Sequence, residues 1–324
     1  MSASTSTTRV SNHNNWPVVE LFPCEREFLE RMGRHNIQQI FVTATLVPND
    51  SDEPFNAAVG HILDCLDSLP KRPDAAFDSL YKVIDQNLNA FSQPNTSRMC
   101  SLVDAFFQAA PNDWATITET LASNLPQQTA DYAASRALDC HIVSNPPHTD
   151  EMKKRATRSL GPQRYKEFCD KFLVASPQNP SIFDLPYNNR RNAGRLMRML
   201  FRQSTAIIKN TGQPSASATP SLLDLTVQAN VLPSKQKLHS LLEVCLSTYR
   251  HERFHGEAFS PFRSSKAKLK TYAHAYYMLM VSYVVVLGML HHQGRGGITI
   301  SDVLAVAQDS MQRFFTFFGQ VLDE

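Results

Sequence analysis

Glycine is scarce in this chain of 324 residues, which contains only 11 of them. Glycine-rich loops cradle phosphates in nucleotide-binding α/β folds, so this scarcity argues against such a fold. Cysteines are also few: there are six, scattered along the chain, and no two form a Cys-x-x-Cys pair. Their spacing argues against a disulfide framework or a cysteine zinc site, and it suits reduced, buried thiols in a cytoplasmic protein.

Long apolar runs are missing from the sequence, with one exception. The segment Tyr272–Leu290 spans 19 residues without a Lys, Arg, Asp or Glu. That length is close to what a membrane-spanning helix needs. The run also contains four tyrosines and a histidine, and nothing else in the chain is comparably apolar. We therefore expect the buried central helix of a soluble bundle, and no membrane association.

Helical spacing of apolar residues runs through most of the sequence, beginning with Pro54–Leu69 and Asp74–Phe91. The first 16 residues differ, because they are rich in Ser, Thr and Asn and predict a disordered tail. The β-branched run Ile40–Val47 also differs, so we expect at most a minor β element near residues 37–47. The predicted fold class is therefore all-α, a multi-helix bundle.

Charge is unevenly distributed, although the formal net charge is only +2. Residues 190–270 hold 14 Lys and Arg against 4 Asp and Glu, whereas the remainder holds 18 against 26. A basic half makes RNA a natural partner. Within it, a predicted helix over Arg190–Lys209 carries four arginines on one face: Arg191, Arg195, Arg198 and Arg202. Such a face either follows a phosphate backbone or is simply solvated.

A low-complexity segment at residues 211–219, TGQPSASAT, predicts a flexible linker. We place the main domain boundary there. Residues 17–210 would form a helical N-terminal region of unassigned role, and residues 220–324 would form a second helical domain. That domain contains three strong helical patterns, over Ser234–Arg250, about Ser264–His292 and the C-terminal Phe-rich stretch.

The most informative stretch is Thr248–Glu257, TYRHERFHGE, because two chemistries overlap in it. Read from His251, it is His-Glu-x-x-His, in which two histidines four residues apart bind zinc and Glu252 acts as general base. Arg253 places a cation inside this motif, and Gly256 predicts an early helix end. No third ligand stands at a recognised spacing, which weakens the zinc interpretation further.

Read from Arg250, the same stretch supplies the groups that cleave RNA without a metal. The ribose 2′-OH attacks the adjacent phosphorus, a histidine moves the proton, and an arginine stabilises the charge on the phosphorane. Arg250 and His255 are these groups, with His251 as a polar neighbour. Five residues apart, they do not share a face of an ideal helix. This interpretation therefore requires a helix end or bend at the motif, for which Gly256 is suited.

The context of Arg250, with one helix before it and a long apolar helix after it, resembles the Arg-polar-x-x-x-His signature of HEPN domains. The resemblance covers about residues 233–292, and His251 stands where the family more often has Asn or Asp. HEPN domains are all-α bundles that usually pair, and two copies of the motif form one RNA-cleaving site across the dimer. Many act in toxin–antitoxin or phage-defence systems, and some have lost activity. An alternative placement starts one HEPN bundle at about residue 54, with a large insertion at 97–232.

The resemblance assigns Arg250 and His255 as the catalytic pair of a metal-independent endoribonuclease, and His251 as the polar orienting residue. Basic residues near the motif are predicted, from charge and proximity alone, to contact RNA phosphates: Arg253, Arg263, Lys266, Lys268 and Lys270. The expected partners are RNA, a second copy in a homodimer, and an antitoxin or regulatory protein, with no metal or other cofactor. Two alternatives stay open: a catalytically inactive HEPN-like module that binds RNA or protein, and a His-Glu-x-x-His zinc hydrolase.

Overall fold

A computed structural model of the chain describes residues 5–142, 149–177, 179, 182–207, 221–255 and 259–324. Helices dominate these residues, which confirms the predicted all-α fold. The α-helices of the described residues are α1 (Thr5–Asn14), α2 (Pro23–His35), α3 (Glu53–Asp67), α4 (Pro73–Asn87), α5 (Arg98–Ala109), α6 (Pro111–Ser123), α7 (Gln127–Asp139), α8 (Thr149–Leu160), α9 (Pro162–Phe172), α10 (Tyr187–Arg202), α11 (Ser234–Ser240), α12 (Ser247–Phe254), α13 (Leu269–His292) and α14 (Ile300–Phe318). A π-helical segment, Leu241–Leu246, joins α11 to α12.

Two short strands, β1 (Val174–Ala175) and β2 (Phe183–Asp184), form the one sheet of the described residues. The strands are antiparallel, with Val174 opposite Asp184 and Ala175 opposite Phe183. Prolines in the first turn begin five of the helices, where the missing N–H has no intrahelical partner to lose. These prolines are Pro23, Pro54, Pro73, Pro111 and Pro162.

The chain divides into two compact units. The first comprises Met1–Ala90 and Tyr249–Glu324, and the second comprises Phe91–Thr248. The linker predicted at residues 211–219 lies outside the described residues. The domain boundary placed at that linker therefore stays a prediction.

Helix α13 forms the core of the first unit. Every residue from Tyr272 to Leu290 is buried, and the helix packs against α2, α4 and α14. A helix that has neighbours all round is apolar all round. By length and composition, α13 is also the one helix in the described residues that is able to cross a membrane, and here it is fully buried. The buried central helix is as predicted, while the cytoplasmic location stays a prediction.

Residues 37–47 form neither a helix nor a strand, which agrees with the prediction of at most a minor β element there; the small sheet of the described residues lies at residues 174–184 instead. Buried backbone needs hydrogen-bond partners, and helix side chains supply them here instead of a second strand. Val42 N–H donates to Ser310 Oγ at 3.1 Å, and Ala44 N–H donates to Tyr283 Oη at 3.0 Å. The segment therefore covers helices α13 and α14.

Residues Thr5–Asn14 form helix α1, where the sequence predicts a disordered tail over residues 1–16. Arg9 anchors this helix, because its Nη1 donates to Arg263 O at 2.8 Å and its guanidinium lies 5.3 Å from the Phe259 ring centroid. A short helix without an apolar stripe is stable only through tertiary contacts. These partners are about 250 residues away along the chain, and composition alone does not reveal them.

Helices α7 and α10 pack through small residues in the second unit. Four alanines of helix α7 are buried: Ala130, Ala133, Ala134 and Ala137. From α10, Gly194 faces Asp131 of α7. A Cβ on Gly194 would lie 1.9 Å from Asp131 Oδ1 and 2.9 Å from Asp131 Cα. This close approach fixes α10 on α7 and determines which face of α10 is exposed.

We expect Gly194→Ala to destabilise the second unit by about 1–3 kcal/mol, because the added methyl must displace the α7 backbone at Asp131. Urea unfolding followed by circular dichroism measures the effect. Gly60→Ala is the matched control, since Gly60 lies inside helix α3 with open space at its Cβ position. It should stabilise the protein by about 0.5–1 kcal/mol. A Gly194→Ala protein as stable as the wild type would contradict the close packing.

Candidate active site at the end of helix α12

The motif residues Arg250–His255 lie at the C-terminal end of helix α12 and belong to the first unit. Helical hydrogen bonding continues one residue past Phe254, because His255 N–H donates to His251 O at 3.0 Å. No bend therefore separates Arg250 from His255, and the two side chains leave the helix about 140° apart. The bend predicted from Gly256 cannot act between them, and Gly256 itself lies outside the described residues.

Arg250 is anchored by an acidic and aromatic environment. Its Nη2 donates to Asp85 Oδ2 of helix α4 at 3.0 Å, and its side chain is 31% exposed. The guanidinium lies 4.8 Å from the ring centroid of Phe254 and 5.8 Å from that of Tyr81, close enough for cation–π attraction. Its Nε is buried without a hydrogen-bond partner among the described residues. An unsatisfied buried donor costs about 1–3 kcal/mol, which an incoming acceptor would relieve.

The two histidines of the motif lie against each other. The ring centroids of His251 and His255 are 4.3 Å apart, with the rings tilted by 44°. Residues four apart share a helix face, so this contact follows from the helical path. His255 is exposed and His251 is half-buried. Within one chain the helix thus brings His255 together with His251, and Arg250 together with Phe254.

Arg253 is buried in a network of charges, with only 9% of its side chain exposed. Its Nε and Nη2 donate to the two carboxylate oxygens of Asp78 at 2.6 and 2.5 Å, and Nη2 also lies 3.4 Å from Asp74 Oδ2. Burial lowers the pKa of Arg253, but hydrogen bonding to Asp78 and the nearby negative charges outweigh burial and raise it. The role predicted for Arg253, a phosphate contact, does not fit, because carboxylates already occupy its donors.

Asp74 completes this network on the side of helix α4. It is fully buried and accepts two hydrogen bonds from Arg72, at 2.8 and 2.9 Å. Burial alone would raise the pKa of Asp74. The hydrogen bonds and charge of Arg72, together with the charge of Arg253, lower that pKa below its ordinary value. Asp74 is therefore ionised in the folded protein at neutral pH.

Sequence reasoning missed the acidic face of helix α4. Asp74, Asp78 and Asp85 are separated by steps of four and seven residues, which places them on one side of the helix. Arg250 and Arg253 are three residues apart and share a side of α12. An acidic side on α4 and a basic side on α12 can be recognised in the sequence from these spacings.

The other predicted RNA contacts lie between α12 and the first turn of α13. Arg263, Lys266 and Lys268 are exposed, as a phosphate contact requires. Lys270 is half-buried, and its Nζ donates to Glu324 O at 3.0 Å. Arg263 has a further structural role, because its carbonyl accepts the hydrogen bond from Arg9.

Metal ligands are sparse around the motif. Within the part of the chain that the structure describes, no group of three His, Cys, Asp or Glu could hold a metal ion. His251 and His255 are adjacent, but two histidines alone do not make a zinc site. Glu257 lies outside the described residues.

A buried histidine lies behind the motif. His274 of helix α13 packs edge-on against Tyr249, with ring centroids 5.2 Å apart. Tyr249 also packs edge-on against Phe77 of helix α4, at 4.8 Å. Burial lowers the pKa of His274 to about 4, so this imidazole is neutral at neutral pH. The residue that precedes Arg250 is thus held by α4 and α13 together.

Acid should destabilise the protein through His274. Its pKa is about 4 when folded and about 6.5 when unfolded, so the unfolded state takes up the proton first. The free energy of unfolding should fall by about 1.4 kcal/mol per pH unit as the pH drops from about 6.5 to about 4. Urea unfolding at a series of pH values measures this slope. His274→Leu should reduce it, and equal slopes in both proteins would refute the assignment.

Asp74→Asn should destabilise the protein by about 3–5 kcal/mol, because it leaves the charges of Arg72 and Arg253 without their buried partner. The lowered pKa of Asp74 implies that its contribution is present above about pH 4 and is lost as the pH falls below that value. Chemical unfolding at neutral pH tests the first expectation. Asp309→Asn, an exposed aspartate on α14, should change stability by less than about 0.5 kcal/mol. Similar effects of the two substitutions would contradict the network.

In comparisons with family models, with curated proteins and with solved structures, no match to this chain was found.

Proposed function

We propose that this protein is a metal-independent endoribonuclease of the HEPN type, with Arg250 and His255 as its catalytic pair. The observation that carries the proposal is the shared position of these two groups at the partly exposed end of α12. Arg250 is anchored there by Asp85, and His255 is exposed beside His251. When a ribose 2′-OH attacks phosphorus, an imidazole can move the proton and a guanidinium can stabilise the negative charge that develops.

In the proposed reaction, the 2′-oxygen forms a bond to the adjacent phosphorus while the bond to the 5′-oxygen breaks. His255 accepts the proton of the 2′-OH, and a second histidine gives a proton to the departing 5′-oxygen. The products are a 2′,3′-cyclic phosphate and a 5′-hydroxyl. Arg250 stabilises the negative charge on the phosphorane, and Asp85 acts as a positioning residue that holds the guanidinium.

A homodimer belongs to this proposal. Within one chain, the side chains of Arg250 and His255 leave helix α12 about 140° apart, so they do not converge on one phosphate. A second copy, related by a two-fold axis, would bring its own His251 and His255 to the same RNA and supply the second histidine. The resemblance to HEPN domains adds a toxin or phage-defence role, a cytoplasmic location, and an antitoxin or regulatory protein as partner.

A second candidate function is an inactive HEPN-like module that binds RNA or a protein. Asp85 favours it, because a carboxylate 3.0 Å from Arg250 cancels part of the charge that would stabilise the phosphorane. In that case the Arg250–Asp85 pair serves to hold α12 on α4, as Arg253 does with Asp78.

The purified protein should cleave single-stranded RNA in the presence of EDTA and leave 2′,3′-cyclic phosphate ends. His255→Ala and Arg250→Ala should each lower the rate by about 100-fold or more, since each removes a group that acts in the transition state. Circular dichroism and sedimentation should show an unchanged fold and dimer in both variants. Gel analysis of end-labelled RNA gives the rates and the chemistry of the ends.

Glu252→Gln is the matched control within the motif. A zinc hydrolase needs Glu252 as general base and would lose its activity, whereas a metal-free ribonuclease should keep its rate within about threefold. Cleavage that EDTA abolishes and zinc restores would contradict the proposal. A folded dimer that binds RNA without cleaving it would support the inactive module.

A further inference from the structure

The segment that joins helix α1 to helix α2 exposes large apolar side chains to solvent. Within the six residues Trp16–Leu21, four such side chains are exposed: Trp16 (77%), Val18 (74%), Val19 (51%) and Leu21 (36%). Single exposed apolar residues are common on protein surfaces, whereas a contiguous apolar stretch marks an interaction site. The Trp16–Leu21 segment is therefore a candidate for contact with a partner.

Hydrogen bonds hold the backbone of this segment in place. Asn12 of α1 makes two of them, because its Nδ2 donates to Glu20 O at 2.9 Å and its Oδ1 accepts from Glu20 N–H at 2.8 Å. At the start of α2, Phe22 N–H donates to Glu25 Oε2 at 2.9 Å. A segment that is already ordered loses little conformational entropy when it binds. The apolar side chains are thus presented in a fixed arrangement.

A cavity of about 210 Å³ lies in the first unit, between residues 38–43, the end of α3 and helix α13. Its apolar walls include Phe41, Leu66, Leu69 and Tyr276. We call it the Tyr276 cavity. Gln39 and Thr43 also line it, and both are exposed, so the cavity opens at the surface. An apolar cavity of about 150 Å³ in a protein core takes up benzene. The Tyr276 cavity therefore has room for one large aromatic side chain.

The segment and the cavity match in size, polarity and charge. Trp16 has an apolar ring system with one N–H donor, which needs an acceptor when the ring is buried. The cavity has apolar walls, and the amide side chains of Gln38 and Gln39 at its mouth supply acceptors. Glu20 of the segment is exposed. Lys71, which directly follows a residue that lines the cavity, is exposed as well, so opposite charges can pair across a contact.

We propose that the Trp16–Leu21 segment of one copy of this protein docks in the Tyr276 cavity of a second copy, with the Trp16 ring inside the cavity. Within its own chain the ring stays exposed, because Asn12 holds the segment on α1 and Arg9 holds α1 on Arg263. The segment and the cavity are different surfaces, so the contact is heterologous, and its repetition links copies into a ring or a filament. It does not depend on the ribonuclease proposed above.

A lipid surface is the other partner that exposed Trp and Val side chains suit. Segments that bind anionic membranes carry Lys or Arg beside their apolar residues. Residues 16–21 contain Glu20 and no basic residue. The charge of the segment therefore favours a second copy, in which Lys71 stands beside a cavity of suitable size, over a membrane.

Sedimentation velocity over a concentration series tests this contact. With rising concentration, the wild-type protein should form species larger than those of Trp16→Ala. Removing the ring should raise the dissociation constant at least about 30-fold, as expected for a buried Trp at the centre of an interface. Tyr187→Ala is the matched control, because Tyr187 of α10 is an aromatic residue of similar exposure, 72%. It should change the dissociation constant by less than about twofold.

Thr43→Phe tests the cavity side of the contact. Thr43 is exposed, so a larger side chain there obstructs the cavity without removing a core residue. Thr45→Phe adds the same group at an exposed position outside the cavity lining, and it should associate like the wild type. Trp16→Ala and Thr43→Phe should each lose the association. An equimolar mixture of the two should regain it, because one variant keeps the cavity and the other keeps the segment.

Tryptophan fluorescence reports on docking directly. The chain contains two tryptophans. Trp114 is already buried and stacks on Phe106, with ring centroids 4.0 Å apart. Association should therefore shift the emission of Trp16 to shorter wavelength and protect it from quenching by acrylamide. Both changes should follow the increase in mass, and both should be absent in Thr43→Phe.

A wild-type protein whose mass never exceeds that of Trp16→Ala would overturn the proposal. A mixture of Trp16→Ala and Thr43→Phe that stays unassociated would overturn the cavity as the docking site. Binding to phosphatidylserine vesicles that depends on Trp16, without self-association, would assign the segment to a membrane and overturn the proposal as well.

Discussion

The buried ion pair between Arg253 and the carboxylates of Asp78 and Asp74 determines where the motif lies in the first unit. Removing these charges from water costs several kcal/mol per ion, so the arrangement is stable only if each charge finds a partner. Arg72 supplies the last one, on Asp74. A second pair, Arg250 with Asp85, extends the contact in the opposite chain direction, so α4 and this end of α12 run antiparallel. Two ion pairs at different heights along the helices restrict the register more than a single pair would.

With α12 held against α4 in this register, the motif residues point to two different sides of the helix. Arg250 and Arg253 turn toward α4 and hold the helix, whereas His251 and His255 lie together on another side, with His255 exposed. Arg253 looked in the sequence like a cation that repels a metal or attracts a phosphate, and it is an anchor. A helix that fixes its arginines and exposes a histidine is suited to proton transfer from one face. In the proposed reaction, the groups that contact the phosphorane from the other side would come from a second copy, so the proposed chemistry and the proposed dimer depend on each other.

The sequence was sufficient for features whose cause is local. Helical periodicity predicted the all-α fold, and the charge-free run Tyr272–Leu290 predicted the buried α13. It was insufficient where the deciding partner is distant. Residues 40–47 have the composition of a strand, but Ser310 and Tyr283 accept hydrogen bonds from two of their amides. Residues 5–14 have the composition of a disordered tail, but contacts with Arg263 and Phe259 anchor them as helix α1. At the site, the motif could be read directly, but the anchoring of Arg253 required the acidic face of α4 to be recognised as its counterpart.

The net charge of a segment does not show which of its arginines are already paired with a carboxylate. Residues 190–270 are strongly basic in the sequence, yet Arg250 and Arg253 lie against carboxylates. An attraction for a polyanion depends on charge that is not already cancelled. The excess of basic residues in this segment therefore overstates the positive charge that the motif itself offers to a polyanion.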